Sequence, residues 1–176
     1  MAEKSSVDLQ SIEIVPLAEK KMLKGAFLIE EPAHVNLINW IKTAAFMSQR
    51  EKKSKTYLVF LDGRAVAYIT VSMGLIEEEA LGLEGNTSFN PQVLVVGKFY
   101  VVPELRGAGI GTKVLSFVLD IATNLDEMLG CIGIILDANN NKETLEFYRR
   151  FGFVEISQDA EERTVKMFFK LPTSEG

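Results

Sequence analysis

Residues 101–115, Val-Val-Pro-Glu-Leu-Arg-Gly-Ala-Gly-Ile-Gly-Thr-Lys-Val-Leu, set an arginine and three alternating glycines between an apolar run and an amphipathic stretch. Glycine accepts the left-handed backbone of a tight turn and lets a ligand approach with no Cβ in the way. The first amides of a helix have no intrahelical partner, and the helix dipole favours negative charge beside them. Arg106 and Thr112 add a cation and a hydroxyl. The segment therefore predicts strand, anion-binding turn and helix in succession, with a phosphate-bearing ligand at the turn.

The flanking sequence fits that frame. From Gly109 to Leu125, apolar residues at Ile110, Val114, Val118, Ile121 and Leu125 recur at helical steps, and a second helix is expected over Lys142–Phe151, stopped by Gly152. Strands are expected at Ser11–Val15, Thr56–Leu61, Ala65–Ser72, Val93–Val102, Ile132–Asp137 and Thr164–Leu171. Asp62-Gly63 predicts a hairpin between the second and third. The near-continuous apolarity of Val93–Val102 and of Ile132–Leu136 marks central strands. Upstream, Pro16–Ile29 and Ala33–Arg50 are expected as helices separated at Glu31-Pro32. Ile76–Gln92 reads as a long polar loop with a functional role.

At 176 residues, with 47% hydrophobic and 24% charged side chains, the composition is that of one globular domain over 1–176. No stretch reaches the roughly 18 apolar residues of a membrane span, and residues 1–10 lack a signal-peptide core, so a cytoplasmic location is expected. Cys131, the single cysteine, sits among apolar neighbours with no base or cation nearby and is assigned to packing. A net charge of −5 speaks against a surface built to hold a nucleic-acid backbone. The basic clusters Lys20-Lys21, Arg50–Lys55 and Arg149-Arg150 are expected as solvated faces.

Glycine loops of other kinds fit less well. A nucleoside-triphosphate loop needs Gly-Lys followed by Ser or Thr, whereas the order here is Gly111-Thr112-Lys113. A dinucleotide fingerprint needs a small residue where Thr112 stands and starts at the strand end; only Asp137, closing the next strand, favours it. Arg106-Gly107-Ala108-Gly109-Ile110-Gly111 instead resembles the Arg/Gln-x-x-Gly-x-Gly/Ala acetyl-CoA loop of the GCN5-related N-acetyltransferases. A second match follows in order: Asn141 through Tyr148 to Gly152-Phe153 is similar to that family's Asn-x-x-Ala-x-x-x-Tyr-x-x-x-Gly-Phe, with Thr144 where alanine is usual. The detailed resemblance spans about 93–156.

The resemblance implies an α/β fold: a single domain whose mixed, mostly antiparallel central sheet is splayed between two central strands and flanked by helices. It implies acetyl-CoA as co-substrate, with no metal. Backbone groups of Phe99, Tyr100 and Val101 would pair with the pantetheine arm. Arg106, Gly107, Ala108, Gly109, Ile110, Gly111 and Thr112 would hold the pyrophosphate, and Asn141 would contact the pantetheine amide. Tyr148 takes the position of the general acid that faces the departing sulfur. Gly97, inside a central strand, suits a bulge or close approach at such a site, and an amide near Val101 would receive the oxyanion.

No residue identifies itself as the base that deprotonates the attacking amine. Glu104, Asp137, Glu77–Glu79 and His34 are the candidates. The acceptor is expected to be a primary amine on a small molecule or protein. The hairpin region also resembles toxin-type acetyltransferases acting on aminoacyl-tRNA, which leaves tRNA and an antitoxin-like partner open. A catalytically silent acyl-CoA-binding module and a homodimer also stay open.

Overall fold

The backbone at Asp62 and Gly63 has φ of +49° and +75°. Two successive left-handed residues make the turn whose twist matches a two-residue hairpin, and Leu61 faces Arg64 across it. The expected hairpin therefore stands on its expected residues. The structure, a computed structural model, describes residues 7–27, 31–82, 90–156 and 163–173. Its strands are β1 (Ile12–Pro16), β2 (Lys55–Leu61), β3 (Arg64–Leu75), β4 (Gln92–Val101), β5 (Gly133–Asn139), β6 (Val154–Glu155) and β7 (Thr164–Lys170). They form one mixed seven-stranded sheet in the order β1-β2-β3-β4-β5-β7-β6, flanked by α1 (Val35–Thr43), α2 (Ala45–Arg50), α3 (Ile110–Leu129) and α4 (Lys142–Phe151). The chain divides into two compact units, Met1–Val71 with Lys98–Phe117 and Ser72–Gly97 with Val118–Gly176.

In the first unit, β1 and β2 pair antiparallel from Ile12↔Leu61 to Pro16↔Tyr57, and β2 pairs antiparallel with β3, its register shifting between Val59 and Phe60. Ile38 and Ile41 of α1 are buried, as are Leu17, Leu58 and Tyr68. Gln49 clamps α2 to the strands: its Oε1 accepts from the Thr56 amide at 3.1 Å, and its Nε2 donates to the Leu17 carbonyl. The helix expected over Pro16–Ile29 is not formed. Pro16 continues β1 opposite Tyr57, a short 3-10 turn covers Lys20–Leu23, and Gly25 and Phe27 have φ of +76° and +53°, which an α-helix does not hold. Leu28 and Ile29 lie outside the described residues. The helix expected over Ala33–Arg50 is a 3-10 turn at Pro32–His34 followed by α1 and α2, interrupted at Ala44, whose φ is −110°.

In the second unit, β5 and β7 pair antiparallel over seven positions, from Gly133↔Lys170 to Asn139↔Thr164, and the two-residue β6, which no pattern in the sequence announced, adds to β7. The parallel register of β4 with β5 covers three positions, Leu94–Val96 with Ile134–Leu136, out of the ten residues of β4. Ile76, Val93, Ile135 and Phe168 form a core cluster here. Close packing explains Gly133: a Cβ there would strike the Phe169 carbonyl and lie 2.6 Å from the Phe168 ring. The segment Ile76–Gln92 is less loop-like than expected. Ile76 is buried and its amide bonds the Pro91 carbonyl at 3.1 Å, while Glu78–Leu81 form a 3-10 turn; residues 83–89 lie outside the description. Cys131 is buried and its thiol donates to the Gly133 carbonyl at 3.4 Å, in line with a packing role. Among the described residues no helix is long and apolar enough to cross a membrane.

Candidate active site

The loop that opens α3 begins with a short 3-10 turn at Pro103–Leu105 and reverses through Gly107 and Gly109, with φ of +77° and +91°. L-residues with a Cβ avoid that region, so both glycines are required by the path of the chain. The first helical bond runs from the Lys113 amide to the Gly109 carbonyl at 3.1 Å. The amides of Ile110, Gly111 and Thr112 thus precede any intrahelical partner. The Ile110 side chain is fully buried, so its only contribution to a ligand is its backbone. The loop is braced from the far end of the sequence. Lys113 Nζ donates to the Leu9 carbonyl, and Leu9 Cδ1 lies 3.0 Å from where a Cβ of Gly109 would be. Leu9 opens a 3-10 turn capped by Asp8, whose carboxylate accepts from the Gln10 amide at 2.9 Å.

Arg106 is not a free charge. Its Nη1 and Nη2 donate to Glu31 Oε1 and Oε2 at 2.7 and 2.9 Å, and its Nε donates to the Val101 carbonyl at 3.0 Å. The Tyr100 hydroxyl donates to Glu31 Oε2 at 2.7 Å, and His34 Nδ1 lies 2.7 Å from Oε1. Arg106 foremost, then Tyr100 and His34, hold the Glu31 carboxyl down to about 2 against a burial that acts the other way. Burial first, and the bond to Glu31 second, raise the Tyr100 phenol. The Tyr100 ring packs edge-on to Phe27 at 6.0 Å and lies under the Arg106 guanidinium at 5.5 Å. Glu31 is thus the hub of the first unit's polar cluster, and it was read in the sequence only as half of a helix break. Its one signal was a carboxylate immediately before a proline that starts a turn; its partners lie up to 75 residues away.

On β4, Phe99 and Val101 are half-buried and Tyr100 is buried. The Lys98 amide is taken by the Thr70 hydroxyl at 2.8 Å, a side chain standing in for a carbonyl immediately after Gly97. In the second unit, Asn141 caps α4, its Oδ1 accepting from the Thr144 amide at 2.9 Å, and the helix stops at Gly152 with φ +116°. Tyr148 is buried at 8% exposure, its ring edge-on to Phe147 at 5.1 Å and Phe153 at 5.5 Å, and burial raises its phenol. Two of the candidate bases are engaged: Glu104 with Arg64 at 2.5 Å and Asp137 with Lys166 at 3.3 Å. Some basic side chains are paired as well, among them Lys21 with Glu19, Lys53 with Glu51, and Arg149 with Glu155. Among the described residues no group of three metal-ligating side chains converges.

The profile of the family described as Acetyltransferase (GNAT) matches residues 21–153. No curated protein sequence matches the chain. Solved structures share the fold. A tyrosine variant of KacT superposes with a TM-score of 0.75 at 16% identity, covering 92% of this chain and 95% of that one. AtaT complexed with acetyl-methionyl-tRNAfMet gives 0.72 at 19% identity, covering 90% and 94%. A variant AtaT toxin bound to the C-terminus of the antitoxin AtaR and to acetyl-CoA gives 0.69 at 17%, covering 91% and 93%.

Proposed function

The chain belongs to the acetyltransferase (GNAT) family and is an acetyl-CoA-dependent acyltransferase, and from that premise we propose that it transfers the acetyl group to a primary amine by direct attack, with Tyr148 as general acid. The observation that carries the reading is the turn at Gly107 and Gly109 feeding the unpartnered amides of Ile110, Gly111 and Thr112. A pyrophosphate fits such a donor set. In this reading the loop binds through its backbone, and Arg106 contributes by shaping the turn, because Glu31 already takes its guanidinium.

The bound thioester supplies an activated acyl carbon and a thiolate leaving group. Tyr148, kept protonated by its burial, directs its hydroxyl proton to the sulfur. A free phenol near 10 and a thiol near 8.5 already make full transfer uphill by roughly 2 kcal/mol, and burial adds to that. A hydrogen bond that strengthens as charge develops is therefore the useful form of acid catalysis here. With its oxygen committed to the α4 cap, Asn141 has its amide hydrogens left to donate to a pantetheine carbonyl. Phe99–Val101 supply backbone pairing to the pantetheine, and the Val101 amide stabilises the oxyanion. The setting we assign is cytoplasmic.

A second reading, an aminoacyl-tRNA acceptor, is favoured by the likeness to AtaT in its complex with acetyl-methionyl-tRNAfMet. With it would come an antitoxin-like protein partner, as the AtaT–AtaR complex has. The net charge of −5 favours a smaller amine. Thiol release from acetyl-CoA over a panel of alkylamines, peptide N-termini and methionyl-tRNA decides between them. Release with alkylamines or peptides supports the first reading and release with methionyl-tRNA alone the second. Binding without release under any condition would leave a silent acyl-CoA-binding module.

A further inference from the structure

One of the hydrogen bonds at Glu31 sets the tautomer of His34. Glu31 is ionised and meets Arg106 with both oxygens, so it can only accept, and His34 must donate from Nδ1 across the 2.7 Å between them. In a neutral ring held that way, Nε2 is the bare nitrogen and its direction is fixed. The side chain keeps 26% of its surface exposed, which leaves room for a small group to reach it. The same cluster runs on toward β4. Glu31 takes the Tyr100 hydroxyl, and Arg106, bound to Glu31, donates from Nε to the Val101 carbonyl at 3.0 Å. Two links, Glu31 and Arg106, thus connect His34 to the backbone that the reading above sets beside the acyl group. The groups facing His34 are Glu31, Arg106 through Glu31, and the Tyr100 ring at 6.0 Å; the rest of its own turn, Pro32 and Ala33, carries no charge.

We propose that His34 is the general base of the acyl transfer and that Glu31 is the residue that positions it, an inference that rests on the acetyltransferase reading. As the lone pair of the amine nitrogen forms the new N–C bond, one N–H bond breaks and its electrons stay on nitrogen. The proton goes to Nε2 of His34. The C–S bond breaks with its pair on sulfur, which takes its proton from the general acid; His34 returns its proton to water and the phenolate regains one from water, so the net transfer is from nitrogen to sulfur. An alkylamine, whose ammonium titrates near 10.4, must in addition give one proton to the base before its lone pair exists, whereas an α-amino group near 7.7–8.0 supplies far more of the neutral form by itself.

His34 is the single histidine of the chain, so its signals need no assignment. In the unliganded protein, long-range ¹H–¹⁵N spectra of the neutral ring should show the Nδ1–H tautomer; the Nε2–H tautomer overturns the proposal. For turnover, n-butylamine and spermidine are the probes. H34Q should bind acetyl-CoA as the unmodified chain does and lower kcat/KM for the amine by about 10²- to 10⁴-fold. E31Q should lower kcat for the amine more than it raises KM for acetyl-CoA. A full rate in H34Q overturns the proposal, as does thiol release with methionyl-tRNA alone. Absence of thiol release with every acceptor instead overturns the acetyltransferase reading beneath it.

Discussion

Glu31 and Arg106 meet through two parallel hydrogen bonds of 2.7 and 2.9 Å, although 75 residues separate them in sequence. A bidentate carboxylate–guanidinium pair fixes direction as well as distance, so the start of the glycine loop is oriented from a segment that never touches it in sequence. The pair also has a pH signature. The Glu31 carboxyl lies at about 2 in the folded chain against an ordinary 4.5. A depressed carboxyl contributes stability that is fully present above its unfolded value and is lost as pH falls through its folded one. Denaturant midpoints should therefore decline between about pH 4.5 and 2, and E31Q should lack that part of the decline. Parallel curves for the two proteins over this window would show that the pair adds nothing to stability.

Gly109→Ala tests the cradle. At φ +91° an alanine costs about 1–2 kcal/mol, and its Cβ would lie 3.0 Å from Leu9 Cδ1, the movable end of a side chain. The turn should shift more readily than the core. Calorimetric titration with acetyl-CoA and with free CoA should both weaken by about tenfold or more, with the chain still folded by circular dichroism. Unaltered affinity for either would separate the loop from phosphate binding.

Tyr148→Phe removes one oxygen from a buried ring packed on Phe147 and Phe153. The packing survives, so acetyl-CoA affinity should stay within about twofold while kcat falls by about ten- to a thousandfold. Full turnover at saturating substrates would reduce Tyr148 to a core residue.

Thr56 is wholly buried on β2, and its hydroxyl has no partner among the described residues. A buried hydroxyl without a partner costs about 1–3 kcal/mol relative to an apolar group of the same shape. Thr56→Val should raise stability by about 1 kcal/mol in urea titration. A loss of stability would mean that the hydroxyl is hydrogen-bonded in solution.

Local chemistry made much of this legible in advance. Asp62-Gly63 makes a hairpin turn, and Asn141 and Gly152 bracket α4 with a cap and a stop that act within four residues of themselves. The loop glycines were legible for the same reason. Pro16–Ile29 misled because its apolar spacing suits a helix, while Pro16 is captured by Tyr57 across the sheet and Gly25 and Phe27 turn the chain back. β6 is two residues long and exists only because β7 offers an edge. The Glu31 cluster was invisible for a further reason. Hydrogen bonds between side chains at residues 31, 34, 100 and 106 impose no period and no spacing on the sequence. That a carboxylate engages Arg106 depends on tertiary proximity alone.

The brace at Leu9 has a practical corollary. Lys113 reaches back 104 residues to that carbonyl, and Leu9 is held in place by a single turn capped at Asp8. Any cloning decision that deletes or restructures the first dozen residues therefore edits the glycine loop from a distance. A truncated chain that folds and expresses well yet binds CoA poorly would be reporting the missing brace rather than a faulty site.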